Sequence, residues 1–336
     1  MKRLNHSRAC LVLLASMGMG VSALHPHSEA KANLLPAHSQ TKPETNPETK
    51  PETKPETKSN TTPPETARIK QNADADRALT EGITFIRQGD IAAAIAAFEQ
   101  AASLNPNSAP AHYNLGLALR QNNQLQAAAT AFWEATQADP GFVLAYVNLG
   151  AALLEGGSLN QADDYLNRAL ALQPEEGITH YNIGLLRARQ GDQTAAFDAF
   201  KRAITYSPNA PESHYHIGLI YQEQGKFREA QQAFENAIAL DDNYPEAHYN
   251  LGISFIRQNS PETAIIAFTR AFELQPMFGH AHYATGLALA DLSRYEEAQA
   301  QLQTAANIYI AQGNSQWANN AQTQIDQIET LRAAQQ

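Results

Sequence analysis

The pentapeptide "HYNLG" occupies residues 112–116, and near-copies return as "HYNIG" at 180–184, "HYHIG" at 214–218, "HYNLG" at 248–252 and "HYATG" at 282–286. The starts lie 34 residues, or a multiple of 34, apart, so a repeated unit is the first thing the chain declares. Aligned on the final glycine, one column holds at every step: Gly82, Gly116, Gly150, Gly184, Gly218, Gly252 and Gly286. Twelve residues after each stands an alanine (Ala94, Ala128, Ala162, Ala196, Ala230, Ala264, Ala298), and seven later another (Ala101, Ala135, Ala169, Ala203, Ala237, Ala271, Ala305). Between them runs a large apolar column, Phe98, Phe132, Leu166, Phe200, Phe234, Phe268 and Leu302. Most units close on a proline (Pro106, Pro140, Pro174, Pro208, Pro276), with Asp242 as the departure.

Each column has a physical cause. Gly and Ala stand where two helices cross, because a missing side chain lets the axes approach to about 8–10 Å. The Phe/Leu column fills the space beside that contact. Gly89, Gly157, Gly191 and Gly225, with Asn123 and Asn259, fall seven residues after the glycine column and suit the left-handed residue that ends a first helix. Proline then stops the second helix. The unit is helix, short turn, helix, turn, and it resembles the tetratricopeptide repeat over residues 75–312. The expected repeats are 75–108, 109–142, 143–176, 177–210, 211–244, 245–278 and 279–312, within a repeat region starting at 67. The Trp usual near the start of that repeat is replaced by His112, Tyr146, His180, His214, His248 and His282, and by Ala78 in the first unit. After the seventh, residues 313–336 place Trp317, Ala321, Ile325, Ile328 and Leu331 on one helical stripe, as a capping helix requires. The resemblance implies an all-α fold, a right-handed superhelical α-solenoid of tandem helix-turn-helix units with that cap.

The resemblance also implies that the first helices line a concave face. The position three before the glycine reads Leu79, Tyr113, Val147, Tyr181, Tyr215, Tyr249, Tyr283, and the next reads Thr80, Asn114, Asn148, Asn182, His216, Asn250, Ala284. A row of asparagine amides can donate to and accept from successive peptide units, whatever the side chains of the bound segment. In peptide-binding members of the family, and in the repeat arm of O-linked N-acetylglucosamine transferase, asparagines of the matching column do this. The resemblance therefore marks Asn114, Asn148, Asn182 and Asn250 as peptide-binding, with Tyr113, Tyr181, Tyr215, Tyr249 and Tyr283 beside them. The alternative is that the asparagines bond within their helix or to the neighbouring repeat and the tyrosines pack. Leu117, Leu185, Leu219, Ile253 and Leu287 add an apolar column on the same side. Arg187 stands in a column otherwise filled by Phe85, Leu119, Leu153, Tyr221, Phe255 and Leu289, either laid over apolar surface with its head in water or touching a ligand. The carboxylate clamp of chaperone-binding members needs Lys where this chain has Tyr or Val, so a chaperone tail is not the expected ligand.

The ends of the chain read differently. Residues 1–23 carry Lys2, Arg3 and Arg8, an apolar run and a small-x-small site at Val21-Ser22-Ala23, the form of a secretory signal peptide. The run is about 15 residues against the roughly 20 a bilayer span needs. The expected location is exported, periplasmic or extracellular; the alternative is an uncleaved anchor formed by residues 9–23, the only membrane contact foreseen. Residues 24–66 turn to Pro, Thr, Lys and Glu, with Lys-Pro-Glu-Thr steps across 42–57, the composition of a disordered, extended spacer. Cys10 is the one cysteine, so a cleaved chain has no disulfide, thiolate metal site or cysteine nucleophile.

The net charge of -10 and pI near 5.5 argue against a nucleic-acid partner. The repeated histidines lie on different repeats, at spacings too wide for one metal ion. No phosphate loop or nucleophile motif appears, so no catalysis and no cofactor are expected. The sequence reads as a non-enzymatic protein–protein interaction adaptor binding an extended polypeptide segment in the concave groove. Two alternatives stand beside it: a scaffold or assembly factor of an envelope complex using its convex face or ends, and a recognition subunit of a separate glycosyltransferase.

Overall fold

The computed structural model describes residues 65–333, and among them the regular structure is entirely helical. The first repeat forms α1 (Glu65–Gln88) and α2 (Ile91–Leu104), the second α3 (Ala109–Gln121) and α4 (Leu125–Ala138), and the third α5 (Val143–Glu155) and α6 (Leu159–Leu172). The fourth forms α7 (Gly177–Arg189) and α8 (Gln193–Tyr206), the fifth α9 (Pro211–Glu223) and α10 (Phe227–Leu240), and the sixth α11 (Pro245–Arg257) and α12 (Pro261–Leu274). The seventh forms α13 (Gly279–Asp291) and α14 (Tyr295–Ala311), and α15 (Ser315–Ala333) closes the chain. The signal and anchor readings, and the spacer up to residue 64, lie outside the described residues.

The termini of these helices follow from local chemistry. First helices end on a left-handed residue: Gly89, Gly157, Gly191 and Gly225 have positive φ, as do Asn123 (59°) and Asn259 (60°). The seventh repeat puts Ser293 (61°) there, a conformation serine seldom adopts and one the sequence did not mark. Second helices stop two residues before Pro106, Pro140, Pro174, Pro208 and Pro276. Asp90, Ser108 and Asp192 accept from the backbone N–H three residues on, capping α2, α3 and α8. Helix α1 starts at Glu65, so the last two residues assigned to the spacer are helical. Past Pro63-Pro64 the sequence holds no further proline until Pro106, and Glu65 in the first turn suits the helix dipole.

The glycine column is set by contact. A Cβ on Gly82, Gly116, Gly218 or Gly252 would lie 2.4–2.6 Å from the ring of Phe98, Phe132, Phe234 or Phe268, and those four rings are fully buried. Gly150 and Gly286 meet Leu166 and Leu302 in the same way, at 2.6 Å. The helix pair of one repeat is therefore clasped by one glycine and one large side chain sixteen residues apart.

Two compact units result, one running to Gln190 and one from Gly191, so the division falls between the helices of the fourth repeat. In the first unit α1–α3 bury Leu79, Ala94, Phe98, Ala111 and Ala118 in one cluster, and a second gathers Tyr146, Val147 and Ala169. The second unit is richer in aromatics. Tyr249, Phe268, Phe278, Tyr283 and Tyr309 share a core that α15 closes with Ala318, Ala321, Ile325 and Ile328, while Trp317 packs on Tyr283 and Tyr309. No helix among the described residues is long and apolar enough to cross a membrane.

Candidate functional site

The tyrosine and asparagine columns lie where the repeats stack. Tyr113, Tyr215, Tyr249 and Tyr283 are buried; Tyr181 is half-buried. Each of the first three packs against the Phe of its own repeat and an aromatic side chain at the entry to the next. Tyr113 lies 5.8 Å from Phe132 and 4.9 Å from Phe142. Tyr215 lies 5.8 Å from Phe234 and 4.9 Å from Tyr244, and Tyr249 lies 5.7 Å from Phe268 and 5.1 Å from Phe278. Burial pushes the Tyr113 hydroxyl up to about 12 against a smaller opposing effect from Asn148, and pushes Tyr249 up further.

Asn114, Asn182 and Asn250 are also buried, and Asn148 is half-buried. Their donors are used inside the stack. The Nδ2 groups of Asn148, Asn182 and Asn250 each donate to the carbonyl four residues back, Leu144, Ile178 and Glu246, at 2.9 Å. Asn148 also donates to Tyr113 Oη at 3.3 Å, and Asn250 to Tyr215 Oη at 3.2 Å, each 35 residues away in the preceding repeat. The open ladder expected for all nine residues is corrected accordingly. Asn114, Asn182, Asn250, Tyr113, Tyr215, Tyr249 and Tyr283 are packing residues of the stack, because a buried amide satisfies its donors with the nearest acceptors. The signal was available as a Tyr-to-Asn spacing of 35, one residue more than the repeat.

The apolar column divides. Leu117, Leu185 and Leu219 are half-buried, whereas Ile253 and Leu287 belong to the core. Most of what stays accessible among these first-helix positions lies in the first unit, with His216 and Leu219 half-buried in the second. On α7, Ile178 is 45% exposed, and Tyr181 and Leu185 follow it at helical spacing on one face. On α5, Leu144 and Asn148 are half-buried on the corresponding turns. The C-terminal end of α5 is tied on both sides: Arg120 of α3 makes a two-pronged ion pair with Glu155, and Arg189 of α7 donates to Leu154 O at 3.0 Å.

The histidines that replace Trp pin the turns between repeats. Nε2 of His112, His180, His248 and His282 meets the carbonyl six residues earlier, on Pro106, Pro174, Asp242 and Pro276, at 2.8–3.3 Å. Arg187 is likewise structural: its guanidinium donates from Nη1 to Asp163 Oδ2 at 2.8 Å and from Nη2 to Asp163 Oδ1 at 2.9 Å. Neither sequence reading of Arg187 anticipated that partner, which lies on the preceding second helix. The column of Asp163, occupied elsewhere by the uncharged Ile95, Ala129, Phe197, Gln231, Ile265 and Gln299, held the clue.

With helix pairs, glycine clasps and repeat junctions in place, the family models described as tetratricopeptide repeat match residues 79–141, 143–176, 215–276 and 249–315, and one described as TPR repeat matches 186–225. The chain belongs to the tetratricopeptide-repeat family. Solved structures of similar fold include a tetratricopeptide repeat protein from Parabacteroides merdae (TM-score 0.57, 16% identity, 74% of this chain and 99% of that one). Others are Pseudomonas aeruginosa PilF (0.54, 18%, 62% and 94%) and the APC/C hetero-tetramer Cut9–Hcn1 (0.58, 19%, 67% and 46%). The chain thus spans less than half the length of the chain it matches in the Cut9–Hcn1 structure. No curated protein matches it in sequence. Membership and fold support a protein–protein interaction role, the work to which stacked helical repeats with extended binding surfaces are suited.

Proposed function

We propose that the protein is a non-enzymatic adaptor that takes an extended segment of a partner protein across the first helices of residues 109–189. The observation that carries this reading is the strip formed by Ile178, Tyr181 and Leu185 on α7 with Leu144 and Asn148 on α5, where the tyrosine and asparagine columns stay accessible. Apolar side chains of the segment rest on Ile178 and Leu185, and the Tyr181 ring supplies rigid amphipathic area. Because the Asn148 Nδ2 group already donates to Leu144 O and Tyr113 Oη, this amide acts as an acceptor: Oδ1 receives a backbone N–H group of the segment. The ladder proposed from sequence is thereby reduced from nine residues to Asn148 and Tyr181. We further propose that the chain is exported and that residues 24–66 hold the repeats away from the surface the N-terminus reaches.

The test is affinity capture from envelope extract with the full chain beside its Ile178→Ser/Tyr181→Ala variant, after circular dichroism matches the two. Partners lost only from the variant place recognition on α7. Equal recovery moves it to the second helices. That scaffold reading has its own observation: Trp133 (41% exposed) and Ile266 (71%) stand in second-helix columns that otherwise hold mostly polar or small residues.

A further inference from the structure

Successive repeats meet through two sets of columns, and at the junction between the third and fourth repeats the first set has lost its ring pair while the second has become an ion pair. The first set is the tyrosine with the aromatic side chain at the entry to the next repeat: Tyr113 with Phe142, Tyr215 with Tyr244, Tyr249 with Phe278. Between the third and fourth repeats the same positions hold Val147 and Glu176. Val147 has no hydroxyl for Asn182, whose donor turns to its own helix at Ile178 O. The second set joins a second helix to the following first helix. It is Phe197 against Tyr221, ring centroids 5.4 Å apart, between repeats four and five, and Ile265 with Leu289 in one core cluster between six and seven. Between three and four it is Asp163 and Arg187, a two-pronged ion pair with both side chains 26% exposed.

Helix α7 is thus held to the third repeat by an ion pair and no ring pair, whereas the second–third junction backs its Arg120–Glu155 ion pair with the packed Tyr113 and Phe142 rings. A further polar tie is the Arg189 guanidinium on Leu154 O. The junction also buries the Thr179 hydroxyl, which has no hydrogen-bond partner, in a column of Ala111, Ala145, Ser213, Ala247 and Ala281. Apolar contact does not weaken as salt is added, whereas a partly solvated ion pair does.

We propose that the junction between the third and fourth repeats is a release point built into the fold, where α7 parts from α6 locally and more readily as ionic strength rises, with the Arg187–Asp163 clamp as its latch. The proposal stands independently of any ligand on α7. It is tested by hydrogen exchange on the full chain at 0.01 M and 1 M salt, between which the screening length falls from about 30 Å to about 3 Å. Amides of 177–189 are expected to exchange about tenfold faster than those of 143–155 at low salt, and about tenfold faster again at high salt, as a local opening does. The Asp163→Leu/Arg187→Leu variant, which restores an apolar pair, should remove the salt response and leave 143–155 unchanged. Arg187→Lys keeps the charge but loses the two-pronged geometry and should speed exchange in 177–189 at low salt. Equal protection of 177–189 and 143–155 at both salts overturns the proposal. So does a salt response that survives the double leucine variant.

Discussion

The junction between the fifth and sixth repeats and the junction between the third and fourth are built on the same columns and differ in kind. In the former, Tyr215, Tyr244 and Asn250 interlock, with rings 4.9 Å apart and an amide closing on a hydroxyl. In the latter, Val147, Glu176 and Asn182 occupy those places and an ion pair stands between the helices. The repeat motif specifies each helix pair, and the choice of side chain at a few cross-repeat positions specifies how firmly each pair is joined to the next.

The sharpest way to break the comparison is to truncate the aromatic entry residue. Tyr244→Ala should destabilise the second unit by about 3 kcal/mol, by loss of buried ring area and the cavity left behind. Glu176→Ala, the same position one junction type away, should fall within about 0.5 kcal/mol of the parent, as half-exposed polar substitutions do. Paired urea titrations decide it, and similar losses at both sites would erase the distinction. Next in size, Asn250→Ala removes a bond to Tyr215 Oη and one to Glu246 O and should cost about 1–2 kcal/mol. Asn182→Ala forfeits only the intrahelical bond and should cost about half that.

Replacing the Asp163–Arg187 pair by two leucines should stabilise the first unit by about 1 kcal/mol, since a partly buried ion pair often does no better than an apolar pair of similar size. A large loss instead would mean the clamp is a strong contact. Smallest is a hydroxyl test within one column. Tyr249 Oη is buried with no hydrogen-bond partner, since Ala284 stands where an asparagine would donate, so Tyr249→Phe should be neutral or slightly stabilising. Tyr215→Phe should cost about 1 kcal/mol.

Alkaline titration probes the same packing. The Tyr113 hydroxyl, with its folded pKa raised to about 12, favours the neutral form. Its contribution to stability is complete below the ordinary tyrosine value near 10 and is lost as pH rises through about 12. Ultraviolet absorbance should show Tyr113 ionising in that late window in the wild type, and Phe142→Ala, which opens the site, should bring it earlier.

The fold was legible because its determinants lie inside one repeat. Gly116 and Phe132, or Gly252 and Phe268, meet sixteen residues apart, and a period of 34 exposes such pairs directly. Helix ends were legible for the same reason, down to Asn123 and Asn259 in place of glycine. The site was legible only in part. Positions three and two before the glycine sit at the boundary between the face a first helix leaves open and the face it shows to its neighbour. Which face wins depends on how repeats stack, a quantity that periodicity within a helix does not contain. Tyr113 and Asn148 betray it only when read as a pair across repeats, as do Asp163 and Arg187.

The glycine clasp has one more consequence. Since Gly116 needs Phe132 and nothing outside its own repeat, losing or duplicating a 34-residue block would leave the clasps of the other blocks closed. Reordering blocks is another matter. Tyr113 expects Phe142 and Asn148 downstream, and Asp163 expects Arg187, so each block carries an address written in its neighbour's side chains. A change in the number of blocks or in their order therefore meets its cost where blocks join, not within them.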